Sequence, residues 1–68
     1  MKHTFQRAKT QKQKKEILNK LFKIWNKVPH WRLGQLLANY MLEKYKDIFF
    51  IEDYDLINDL DEYIRSKV

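Results

Sequence analysis

No cysteine occurs among the 68 residues, so neither a disulfide framework nor a cysteine zinc site supports this chain. One glycine and one proline are too few for an all-β protein, which needs a turn every few residues. The longest unbroken apolar run, Ile48-Phe49-Phe50-Ile51, is far too short to span a bilayer. The opening Met1-Lys2-His3-Thr4 has no apolar core of a secretory signal, so a cytoplasmic protein of a bacterium or phage is expected. Acidic residues are scarce in one half only. Residues 1–32 carry ten Lys and Arg against the single acid Glu16, a net +9, whereas residues 33–68 carry four bases against eight acids, a net −4. Such sorting suggests a surface that meets an anionic partner on one side.

What is present is large and apolar. Hydrophobic residues make up 44% of the chain and aromatic residues 15%, enough for one small helical core close to the lower size limit for independent folding. The expected fold is all-α, a small three-helix domain over residues 12–68 preceded by a basic, partly disordered arm over residues 1–11. That arm has only Phe5 and Ala8 as apolar residues and cannot offset its ordering entropy by burial. In the first helix Ile17, Leu18, Leu21, Ile24, Trp25 and Val28 share one side. Pro29 ends it near Lys27 or Val28. A second helix is expected from about Trp31 to Tyr45, with Leu33, Leu36, Leu37, Tyr40 and Met41 inward and Arg32, Gln35, Asn39, Leu42 and Lys46 outward. Gly34 there suggests the close approach of another backbone. Residues 48–51 are read as a loop across the end of the bundle, a short strand being the alternative without a partner to pair with. Asp53 is expected to cap a third helix, with Asp55 in its first turn and Leu56, Ile57, Leu60, Tyr63 and Ile64 inward.

Three groups of residues are candidates for function. Arg7, Lys9, Lys12, Lys14, Lys15, Lys20, Lys23 and Lys27 form a basic arm and helix face of the kind that binds phosphates through counterion release. The alternative reading of the same lysines is a solvated face that keeps a small protein in solution, as Lys-rich helix faces usually do. Lys outnumbers Arg eleven to three, which weakens the nucleic-acid case slightly, because base-edge reading prefers bidentate Arg. Arg32, Gln35 and Asn39, at i, i+3 and i+7, are side chains able to read base edges or to bond a nearby loop backbone. A standard helix-turn-helix is disfavoured, because its recognition helix would carry Asp55, Asp59, Asp61 and Glu62 into the phosphates. The third group is a protein-interaction set: Leu42, an exposed Phe49, and the acids Asp55, Asp59 and Glu62.

Catalysis and metal binding find no support in the residues. His3 and His30 have no ligand at metal spacing, and Glu52, Asp53 and Asp55 lack the glycine and distal glutamate of a calcium loop. No nucleophile sits in a recognisable context, so no enzyme and no cofactor are expected. A membrane-surface role for the basic first helix is disfavoured because its apolar face is required by the other two helices.

Twelve positions together form a recognisable pattern: Trp25, Pro29, Arg32, Gly34, Gln35, Asn39, Phe49, Phe50, Glu52, Asp53, Leu56 and Leu60. Over residues 25–63 the chain resembles a family of small, largely uncharacterised proteins of Firmicutes and their phages. The resemblance carries no activity. It implies that Arg32, Gln35, Asn39, Glu52 and Asp53 act as a group, structurally or at a binding site, and it leaves the lysine-rich arm outside the shared pattern.

Two functional expectations follow. The first is a non-enzymatic binding module whose basic arm and first helix contact an anionic partner, with nucleic acid the leading candidate. The second is a protein-interaction module, such as a phage-encoded modulator of a host protein. Either is compatible with a monomer or a homodimer.

Overall fold

The computed structural model describes residues 7–68; Lys2, His3 and the rest of the arm through residue 6 lie outside it. Three α-helices follow one another: α1 over Gln11–Asn26, α2 over Leu33–Lys44 and α3 over Asp53–Arg65. A single 3-10 turn, Ile48–Phe50, joins α2 to α3, and no strand occurs among the described residues. The all-α, three-helix reading is therefore correct.

Local chemistry sets the boundaries. Thr10 caps α1: its hydroxyl accepts the Gln13 amide at 3.0 Å, while Gln13 Oε1 accepts the amides of Lys9 at 2.8 Å and Thr10 at 3.0 Å. α1 stops two residues short of Val28, just ahead of Pro29. At the start of α2, Gln35 Oε1 accepts the Arg32 amide at 2.7 Å. α2 ends at Tyr45, a left-handed residue (φ 55°) whose amide returns to the Met41 carbonyl, as does that of Lys46. Asp47 Oδ1 accepts the Phe49 amide and starts the 3-10 turn.

The core draws on all three helices. Ile24 and Val28 from the α1 end, Leu36 and Tyr40 from α2, and Ile57, Leu60, Tyr63 and Ile64 from α3 are buried together. Tyr40 and Tyr63 meet edge to face with ring centroids 5.9 Å apart. Burying side chains such as Leu36, Leu60 and Ile64 contributes on the order of 2 kcal/mol each. Contacts advance in the same chain direction along α1 and α3, from Ala8–Asp53 through Glu16–Tyr54 to Lys27–Asp61, so these two helices run in the same sense.

Several expectations fail at this level. The arm does not extend to residue 11: Ala8 is buried, its amide donates to Asp53 Oδ2 at 2.8 Å, and Arg7 is bound to Glu52. Asp53 is not the cap of α3. It is the first helical residue after Glu52, and its carboxylate holds Ala8 instead. Gly34 meets no other backbone, since a Cβ placed there has nothing within 4 Å. Leu18, expected inside, is 61% exposed because it lies beyond the edge of the stripe centred on Ile24 and Val28. Residues 48–51 form a connecting 3-10 turn and no strand, as the loop reading expected. Ile48 and Ile51 pack against the core while Phe49 and Phe50 both turn outward.

Candidate anion-binding groove

The parallel packing of α1 on α3 creates a groove of about 320 Å³ along their shared edge. At 100° per residue, Lys20, Lys23 and Lys27 fall within one narrow sector of α1, beside Ile24. They face Asn58, Asp61 and Arg65 across a floor of Ile24 and Ile57. Four cations and one carboxylate thus line the groove. Asp61 is divided between two of them: Oδ2 accepts Arg65 at 2.8 Å and Oδ1 accepts Lys27 at 3.5 Å. Lys20 and Lys23 form no ion pair among the described residues; the Lys20 ammonium stands 6.0 Å from the centre of the Tyr54 ring. Arg65 belongs to the acidic half of the sequence and was not among the expected cations. Its signal was the i, i+4 spacing from Asp61, but only the alignment of α3 beside α1 brings it to the lysines.

Other expected cations lie elsewhere or are engaged. Arg7 grips Glu52 with two parallel bonds of 2.8 and 2.7 Å, which hold the Glu52 carboxyl below its ordinary pKa. Lys9, Lys12, Lys14 and Lys15 are exposed and unpaired among the described residues, but they surround the start of α1 rather than line the groove. Lys14 instead borders a shallow apolar hollow with Ala8, Ile17, Leu18 and Asp53.

The base-reading trio on α2 does not stand free. Gln35 is exposed but its carbonyl oxygen is engaged by the Arg32 amide, and Asn39 is half-buried rather than outward, so of the three only the Arg32 side chain is both exposed and uncommitted among the described residues. Nor do Arg32, Gln35, Asn39, Glu52 and Asp53 bond as a group. Glu52 and Asp53 hold residues 7 and 8, and no hydrogen bond among the described residues links them to the α2 start.

The interaction set divides as well. Leu42 is 73% exposed on α2. Phe49 and Phe50 are 82% and 78% exposed and stack edge to face at 4.9 Å. Asp55 and Glu62 are exposed, but Asp59 is half-buried: it accepts Tyr40 Oη and Lys46 Nζ, each at 2.6 Å. Those contacts, the lysine first and the tyrosine second, hold its carboxyl below the usual range. Asp55, Asp59 and Glu62 line a second groove of about 500 Å³ together with Glu52, Lys46, Phe50 and Ile51.

Among the described residues no cluster of metal-ligating side chains occurs, and no helix is long and apolar enough to cross a membrane. Comparison of the chain with protein-family models, curated proteins and solved structures finds no match.

Proposed function

We propose that this protein is a non-enzymatic binding module whose α1–α3 groove takes the phosphate backbone of a nucleic acid. The observation that supports this reading is that Lys20, Lys23, Lys27 and Arg65 line one groove in which Asp61 is the single carboxylate. Two of the four cations are free, and the other two are steadied by an anion that phosphate can replace. Compact ammonium groups on flexible stems suit phosphates of variable position, and the groove offers no bidentate arginine free for a base edge. Binding is accordingly sequence-tolerant. Four phosphate contacts imply that log K falls with log salt at a slope of about −3 to −4. Fluorescence anisotropy with labelled duplex and single-stranded oligonucleotides, titrated over salt, measures this slope. No binding at low salt overturns the reading.

A second reading, a protein-interaction module, is favoured by the exposed Phe49–Phe50 pair, because stacked aromatics open to solvent are typical anchors of protein interfaces.

A further inference from the structure

Two surfaces that use none of the four groove cations are complementary in charge, and each carries a pair of apolar residues. On α1, Leu18 and Phe22 are one turn apart and 61% and 63% exposed. Lys14 lies one turn before Leu18, and Lys15 stands three residues from Leu18 and seven from Phe22, so an exposed apolar pair is flanked by two unpaired cations. On α3 and the 3-10 turn, Phe50 and Ile51 border the groove whose unpaired charges are Asp55 and Glu62. One surface is an exposed apolar pair with a positive margin; the other is a mainly acidic groove with Phe50 and Ile51 at its edge. They share no residue, and neither uses Lys20, Lys23, Lys27 or Arg65.

We propose that a second copy of this chain occupies the Phe50 groove, presenting the Lys14–Lys15–Leu18–Phe22 edge of its α1. The contact is heterologous, because each copy offers a different surface to each neighbour, and repetition yields open-ended head-to-tail assemblies rather than a closed dimer. Association answers the problem of a small domain that leaves Leu18, Phe22, Phe49 and Phe50 largely in water. Its charged margins make it dependent on salt. The contact uses none of the four groove cations, although Asn58 borders both grooves.

Sedimentation equilibrium on protein freed of nucleic acid tests the proposal. At low salt the weight-average mass is expected to rise past that of a dimer between about 10 µM and about 1 mM, the range of a small, weak interface. At about 0.5 M salt it should return to that of a monomer. Two charge variants sharpen the test: Lys14→Glu with Lys15→Glu on one surface, and Asp55→Asn with Glu62→Lys on the other. Each alone should remain monomeric with unchanged far-ultraviolet circular dichroism. Mixed in equal amounts they should assemble again, since acidic α1 meets basic groove and basic α1 meets acidic groove. Phe50→Ala, which alters no charge, should weaken assembly at least about tenfold, in line with an aromatic anchor. A wild-type monomer throughout, a plateau at the dimer, or a mixture that stays monomeric overturns the proposal.

Discussion

Tyr40 on α2 donates its hydroxyl to Asp59 on α3 at 2.6 Å, and the same Asp59 oxygen accepts the Lys46 ammonium that follows α2. One carboxylate therefore ties the middle and the exit of α2 to α3, beside the Tyr40–Tyr63 ring contact. Tyr63, by contrast, is buried and its hydroxyl has no hydrogen-bond partner among the described residues, although the nearby Glu43 carboxylate helps to raise its pKa. The two tyrosines look alike in sequence and differ in energetic role.

Tyr40→Phe removes a hydrogen bond to a charged acceptor and is expected to cost about 1.5–3 kcal/mol. Tyr63→Phe removes a hydroxyl without a partner and should stay within about 0.5 kcal/mol of the parent or stabilise it. Urea unfolding of both variants checks this. A larger loss for Tyr63→Phe than for Tyr40→Phe contradicts the assignment.

Stability should decline at both ends of the pH scale. Asp59 is depressed in the folded state, so its contribution is complete above the unfolded value near about 4 and is lost as pH falls through the folded one. Tyr63 is pushed up to about 12, by burial first and then by Glu43, and Tyr40 is also raised by burial and Asp59. Stability is unaffected by the ionisation of these phenols below about pH 10 and is lost as pH rises from there toward their folded values. The urea midpoint is therefore expected to be flat near neutrality and to drop below about pH 4 and above about pH 10. A midpoint that holds steady beyond pH 10 would contradict the burial of both phenols.

For the phosphate groove, Lys23→Gln should reduce the salt slope of nucleic-acid binding by about 0.9, and Arg65→Gln should act similarly. Asp61→Asn removes the one carboxylate among the four cations and is expected to tighten binding severalfold, a gain on the order of 1 kcal/mol. Lys46→Gln, already committed to Asp59 on another side, should leave the slope unchanged. Anisotropy titrations at several salt concentrations distinguish these outcomes; equal effects of Lys23→Gln and Lys46→Gln would show binding spread over the whole surface.

Backbone chemistry offers two stabilising substitutions. Gly34→Ala adds a methyl group into open space within α2 and should contribute about 0.5–1 kcal/mol. Tyr45→Gly relieves a non-glycine residue at φ 55°, in a position 94% exposed, and should contribute a similar amount. Thermal melting of each variant alone provides the test; a lower melting temperature for Gly34→Ala would mean that the site is crowded after all.

Periodicity alone determined the three helices, because an apolar residue every third or fourth position has few ways to leave water in a chain so poor in turns. The inward stripes of α2 and α3 were legible for the same reason: Leu36, Tyr40, Ile57, Leu60, Tyr63 and Ile64 all entered the core. The T-x-x-Q capping box at Thr10–Gln13 was readable but overlooked. Tertiary structure alone decided which charges remain free. Arg7 was drawn to Glu52 and Asp61 was set between Lys27 and Arg65 by the packing of segments 45 and 34 residues apart. Charge sorting along a chain is one-dimensional, whereas an ion pair depends on distances that exist only after α3 lies alongside α1.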